Sequence, residues 1–226
     1  MPLDNNAPTV VTGFGNAPDI AHGIVRDIRV RWACEEIGRP YRTELFDAMT
    51  PRPESYRQWQ PFGQVPAFDD GERRLFESGA ILLYLGEQDE RLLPRDPAIR
   101  WQAVEWLIAG LNSVEPILMQ IVSYDLFYRG KDWAAAARPA AVALAEQRLR
   151  SLSDALGDKQ WLARRFTVAD IIMVTVLRNL RHTDIVAGFP ALAAYQARGE
   201  ARPAFRQALA DQLAGFAAEQ TQGEPA

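Results

Sequence analysis

The hydrophobic pattern of this chain changes period part-way along, and that change restricts the fold more than any other feature. Up to about residue 88, short β-branched and apolar runs alternate with isolated helical stretches. Beyond Pro94 and Pro97, apolar residues recur only at helical spacing. The pattern predicts an α/β segment followed by an all-α one, joined over 89–97 by a stretch rich in charge and proline. Thr9-Val10-Val11-Thr12 reads as a strand, broken by Gly13, Gly15, Asn16 and Pro18. Ile24, Ile28, Trp32 and Ile37 predict a helix over 24–37 with Gly38 as its C-cap. Residues 40–46 read as a second strand, which the helical crossover makes parallel to the first. Residues 65–68 and 74–76 flank Asp70-Gly71 as a hairpin, and a helix with Ile81, Leu82 and Leu85 follows. In the second half, Trp101, Val104, Ile108 and Leu111 predict a helix that Pro116 must kink or end. Further helical patterns cover 144–156, 167–180, 192–197 and 204–216, and 217–226 reads as a frayed tail.

Composition removes several classes of function. Lys plus Arg number 25 against 29 Asp plus Glu, a net charge of -4, which argues against nucleic acid as the main partner. One cysteine, Cys34, and two histidines, His22 and His182, supply neither a disulfide framework nor a closed Cys/His zinc site, so no metal is expected. The most apolar run, 168–177, is interrupted by Asp170 and Thr175, and no stretch of about 18 apolar residues predicts a membrane span. The first nine residues have neither the basic nor the apolar region of a signal peptide, so a cytoplasmic protein is expected.

Three motifs carry the functional reading. The first is Pro61-Phe62-Gly63-Gln64-Val65-Pro66, followed beyond the hairpin by Glu77-Ser78-Gly79-Ala80-Ile81. A strand edge can pair main chain with a peptide ligand, and a helix N-terminus offers free N–H donors to a carboxylate. Taken singly, Pro66 reads equally as a strand-edge proline and Ser78 as an N-cap. The second motif, Phe166-Thr167-Val168-Ala169-Asp170-Ile171, is a capping box with a hydrophobic staple, whose role is structural. The third is Val30-Arg31-Trp32-Ala33-Cys34-Glu35-Glu36-Ile37-Gly38-Arg39-Pro40-Tyr41.

In this order and spacing the motifs, which together span nearly the whole chain, resemble those of the cytosolic glutathione S-transferases, bacterial in type and without an assigned subclass. The resemblance implies an α/β plus all-α fold: a thioredoxin-like N-terminal domain over 1–88, a linker over 89–97, and an all-helical C-terminal domain over 98–226 with an electrophile pocket. It implies a cis Pro66 and a glutathione site made by Gln64, Val65, Pro66, Glu77 and Ser78. There the Val65 backbone meets the cysteinyl part, Glu77 the ammonium and Ser78 the γ-glutamyl carboxylate. Gly79 departs from the Arg or Asn often found at that position and removes one contact. The implied activity is conjugation of the glutathione thiolate to small apolar electrophiles in a detoxifying homodimer, with glutathione as co-substrate and neither nucleic acid nor membrane as partner. The alternatives are a glutathione-dependent isomerase, peroxidase or dehalogenase, or a non-catalytic member that binds glutathione or another ligand.

The sequence names no thiol activator. A thiol with a pKa near 8.5 needs a donor or positive field to ionise, but residues 13–27 contain no Tyr, Ser, Thr or Cys. Asn16, Arg26 and His22 remain as candidates, with the N–H groups of the first helix. Cys34, inside that helix, reads as a core thiol. Phe14 is the expected apolar wall of the electrophile pocket and Asn112 a further lining residue. Trp106, Met119, Tyr124 and Tyr128 read as packing or interface, and Arg178, Arg181 and His182 as a solvated helix end.

Overall fold

The structure is a computed structural model that describes residues 2–222, with side chains through Phe216. The chain divides into two compact units, Met1–Leu92 with Arg202–Ala226, and Leu93–Ala201.

The first unit contains β1 (Val10–Asn16), α1 (Asp27–Ile37), β2 (Arg42–Asp47), the short α2 (Glu54–Arg57), β3 (Ala67–Asp69), β4 (Arg74–Phe76) and α3 (Ser78–Gln88). The strands form one four-stranded sheet in the order β2-β1-β3-β4. β1 and β2 are parallel, as the α1 crossover requires, and the other pairs are antiparallel, the thioredoxin-like arrangement the sequence implies. β1 runs further than its sequence suggests: Gly13 pairs with Leu45 and Phe14 with Phe46, so both lie in the strand and not in the loop. Gly13 is small for a packing reason, since a Cβ there would stand 2.7 Å from Oδ2 of the buried Asp27. The loop beyond is built from turns, with Gly23 at φ 76°, and α1 starts at Asp27, three residues later than the apolar spacing predicts. Its end matches expectation: Gly38 adopts φ 68° and its N–H closes on the carbonyls of Cys34 and Glu35.

The second unit is helical: α4 (Pro97–Ala109), α5 (Glu115–Val122), α6 (Asp132–Leu156), α7 (Val168–Arg178) and α8 (Pro190–Glu200). Asp96 caps α4 by accepting from the N–H groups of Ala98 and Ile99, both at 3.0 Å. Pro116 does not break the chain's course; it occupies the first turn of α5, where no N–H is needed, and a π-helical turn over Gly110–Val114 links α4 to α5. The continuous run Pro97–Phe127 is long and apolar enough to cross a membrane by length and composition only, although Arg100, Glu105, Asn112 and Glu115 interrupt it before about 18 apolar residues accumulate. Its apolar content has a packing role: Ala103, Leu107, Gly110, Val114 and Leu118 are buried, and Gly110 fits against Ile172 of α7 so closely that a Cβ would lie 2.6 Å from Cγ2. α6 begins twelve residues before its leucine pattern, because the run of alanines in 134–137 has high helix propensity without any apolar period. Pro139 lies on its exposed face, where the bond it cannot donate is lost at the surface and not in the interior.

The last helix, α9 (Pro203–Gln222), belongs with the first unit. The sequence places it in the helical half, but it packs on α1 and β1 instead. Phe205 meets Trp32 edge-on at 4.9 Å, and the Gln212 amide donates to Oδ1 of Asp27 at 2.6 Å. The helix continues through the expected tail to Gln222; the rest of that expectation, 223–226, lies outside the described residues.

Candidate functional site

The β3–β4 hairpin creates the site by its register. Ala67 pairs with Phe76 at the open end of the hairpin, so Pro66 and Val65 on one strand face Glu77 and Ser78 leaving the other. Residues eleven or more apart in sequence are thereby brought together by antiparallel pairing. The Val65–Pro66 peptide bond is cis, as the resemblance implies. Pairing of β1 with β3 covers Val10–Asp69 and Val11–Phe68 and stops short of Val65, which leaves that stretch of main chain outside the ladder.

Buried hydroxyls fix the loop that carries Val65. Thr12 Oγ1 accepts from the Ala67 N–H at 2.7 Å and lies 2.9 Å from the Tyr56 hydroxyl, which donates to the Gln64 carbonyl at 2.6 Å. The Gln60 side chain accepts from the Gln64 N–H at 3.0 Å. Gln64 therefore has both main-chain groups engaged, with its side chain exposed.

Glu77, also exposed, holds φ at 67°, a left-handed conformation that a non-glycine residue adopts at a cost. It turns the chain from β4 directly into α3, and Ser78 opens that helix with 4% of its surface exposed. The first backbone bond of α3 is Ile81 N–H to the Glu77 carbonyl, so the N–H groups of Ser78, Gly79 and Ala80 face outward from the helix start. Behind them, Arg29 of α1 donates from Nη1 to Ser78 Oγ at 3.2 Å. Donors, dipole and a guanidinium converge here on an anion.

Similarity to known proteins settles the family. A glutathione S-transferase of Hyoscyamus muticus is 30% identical over 161 residues, 66% of this chain and 75% of that one. The chain belongs to the glutathione S-transferase family. Residues 21–87 match the family model "Glutathione S-transferase, N-terminal domain". Glutathione S-transferase F14 of Arabidopsis thaliana is also 30% identical, over 64% of this chain and 62% of that one. Among solved structures, a Pseudomonas putida glutathione transferase with glutathione disulfide bound superposes with a TM-score of 0.78 at 25% identity, over 89% of this chain and 90% of that one.

Against that family background the other expected site residues have these positions. Asn16 ends β1 with its side chain exposed and its carbonyl accepting from the Ala48 N–H at 2.8 Å. His22 is committed to packing: its ring stacks on Phe216 with centroids 4.1 Å apart, and Nε2 lies 3.0 Å from the Ala17 carbonyl. Arg26 is exposed one residue before α1. Cys34 is fully buried, and burial pushes its thiol up to about 12, which removes it as a nucleophile as the sequence implies. Phe14 packs with the Tyr56, Val65 and Ala67 cluster beneath the Arg52 guanidinium, 5.0 Å from its ring centroid. Asn112 is exposed on the π turn of the second unit. It does not line that unit's cavity of about 780 Å³, whose walls include Tyr124, Tyr128 and Arg138. His182 is not simply a solvated helix end, since Nε2 lies 3.1 Å from Oδ2 of Asp125, a carboxylate held below its usual range chiefly by hydrogen bonds from Arg138.

Sequence reasoning missed Tyr56, Thr12, Arg29 and Arg52. Each acts across 30 or more residues or through the loop, and only Arg52, a cation two residues before the short α2, carries a local signal.

Proposed function

We propose that the chain binds reduced glutathione at the open end of the β3–β4 hairpin and, as a homodimer, catalyses attack of its thiolate on a small apolar electrophile. The hairpin register carries this reading. Ala67 pairs with Phe76, which sets unpaired main chain at Val65 beside the anion-seeking start of α3 and an exposed carboxylate at Glu77. Those features match a tripeptide in order: an amide backbone along Val65, an α-carboxylate at Ser78 and an ammonium at Glu77. Arg52, over Phe14 and beside Gly63, adds positive charge next to the same loop for the second carboxylate. The glutathione disulfide in the Pseudomonas putida relative supports the ligand class. The exposed ring pair Phe62 and Phe76, 6.3 Å apart, is apolar surface of the kind a second copy covers.

A second reading, a non-catalytic glutathione-binding member, is favoured by the first loop. Residues 13–27 carry no hydroxyl or thiol side chain, and the His22 ring is stacked on Phe216. Calorimetric titration with reduced glutathione, followed by conjugation of 1-chloro-2,4-dinitrobenzene, separates the two. Saturable binding at a single site per chain with turnover supports the transferase. Binding without turnover on this or other electrophiles supports the second reading, and no binding at millimolar glutathione rejects both. Recovery of unconsumed glutathione after turnover assigns isomerisation in place of conjugation.

A further inference from the structure

We propose that Arg29 is a positioning residue that makes the start of α3 selective for a ligand carboxylate, an inference that rests on the glutathione-site reading above. Arg29 lies in the first turn of α1 and is 2% exposed, yet its Nη1 reaches Ser78 Oγ at 3.2 Å across 49 residues of sequence. A guanidinium has donors and no acceptor, so this bond fixes one lone pair of the Ser78 oxygen on the protein side. The hydroxyl proton is then left to point elsewhere, and Ser78 becomes a donor toward a ligand. A serine without such a partner donates or accepts as the ligand demands and gives no sign preference. With Arg29 behind it, the same serine keeps its proton for a carboxylate and has a single lone pair left for an ammonium, so the balance shifts toward the carboxylate.

The remaining groups agree in sign. The N–H groups at the start of α3 are donors, the helix dipole is positive there, and the guanidinium donates from behind. Gly79 contributes no side chain, so the positive charge is supplied from behind the helix by Arg29. Glu77, one residue earlier and exposed, is the complementary group for an ammonium. An α-amino acid headgroup therefore has one favoured orientation, carboxylate on Ser78 and ammonium on Glu77. Arg29 enforces that orientation without touching the ligand.

The test compares glutathione with γ-aminobutyryl-cysteinyl-glycine, which lacks only the α-carboxylate of the γ-glutamyl group. Wild-type protein, Arg29→Gln, Arg29→Lys and Ser78→Ala are each titrated with both peptides by calorimetry. The wild type is expected to prefer glutathione by about tenfold or more, the worth of a charged hydrogen bond. Arg29→Gln and Ser78→Ala are expected to lose most of that preference, and Arg29→Lys to regain part of it. A purely structural Arg29 lowers affinity for both peptides equally, and an unchanged ratio in Arg29→Gln overturns the proposal. Ser78→Ala preserves the buried guanidinium and answers the same question if Arg29→Gln fails to fold: an undiminished preference overturns the proposal. A wild type that binds neither peptide rejects the glutathione site itself, whereas a wild type that binds both equally rejects only the selectivity assigned to Arg29 and Ser78.

Discussion

Replacing Asp170 with Ala is expected to destabilise the protein more at pH 4 than at pH 7, an unusual direction for a carboxylate that accepts so many hydrogen bonds. Asp170 is fully buried at the start of α7. Its Oδ2 accepts from the Thr167 N–H at 2.9 Å and the Thr167 hydroxyl at 3.3 Å. Its Oδ1 accepts from the Leu162 N–H at 3.1 Å and the Tyr195 hydroxyl at 2.8 Å. Removing the carboxyl orphans four interior donors, two on the capping Thr167 and two from other elements, and each costs about 1–3 kcal/mol. Burial nevertheless raises the carboxyl to about 6, with the hydrogen bonds only partly offsetting it. Between the ordinary carboxylate value of 3.8 and about 6, the unfolded chain releases this proton while the folded one retains it, so stability falls as pH rises. The full displacement is worth about 3 kcal/mol. Asp170→Ala removes that burden at pH 7, leaving a net loss of about 1–9 kcal/mol, and the loss grows by up to about 3 kcal/mol as pH is lowered to 4. Urea unfolding followed by tryptophan fluorescence reads both numbers, with Trp161 packed 5.9 Å from the Tyr195 ring. A loss below about 1 kcal/mol at pH 7 refutes the count of orphaned donors. A loss that grows as pH rises refutes the sign of the pKa displacement.

Three further outcomes test other parts of the structure. Tyr56→Phe deletes the hydroxyl between Thr12 and the Gln64 carbonyl and is expected to cost about 1–2 kcal/mol in urea unfolding. Its glutathione affinity should fall several-fold as the Val65 loop loosens; an unchanged affinity separates the loop from the site. Glu77→Gly relieves the φ of 67° and is expected to raise stability by about 1 kcal/mol while weakening glutathione binding, since the carboxylate is lost. Retained affinity, measured by calorimetry, rejects the role given to Glu77. Gly199→Ala drives a Cβ to 2.5 Å from Cγ2 of Val174 and is expected to cost about 1–3 kcal/mol, which Val174→Ala in the same chain partly restores. Wild-type stability of the Gly199→Ala variant in thermal melts contradicts the tight α7–α8 packing.

What could be read from the sequence was what local chemistry encodes. The Asp70-Gly71 turn fixes the hairpin because Gly71 takes φ 88° and the Asp69 and Asp70 carboxylates accept neighbouring N–H groups at 2.8 and 3.0 Å. Once the turn is fixed, antiparallel pairing brings the chain before Ala67 beside the chain after Phe76, which is why the juxtaposition of the candidate residues Val65 and Ser78 was legible without any coordinates. The capping box at Thr167 was legible for the same reason, although the Leu162 and Tyr195 donors to Asp170 were not, since they arrive from other elements. The start of α1 misled because Ile24 keeps the helical spacing while Gly23, at φ 76°, marks a turn that spacing does not register.

The charges on α1 show how one long-range packing choice governs the rest. Asp27, Arg29 and Arg31 are charged, yet all three are buried, at 0%, 2% and 1% exposure. The reason is that α1 is enclosed: α9, α3 and β1 all pack on it. A helix enclosed on several sides has no polar face, so its charges must be satisfied internally. Arg31 donates to Asp27 at 2.7 Å, Gln212 of α9 donates to the same carboxylate, and Arg29 turns to Ser78. Burial raises the Asp27 carboxyl from its ordinary value, while Arg31 and Gln212 pull it back. Assigning α9 to the helical half leaves α1 with a wet face and directs attention to the exposed Arg26. Returning α9 to the first unit encloses α1, and Arg29, buried within it, reaches Ser78 of α3. Arg29 was hidden because its partner Ser78 lies 49 residues away in sequence.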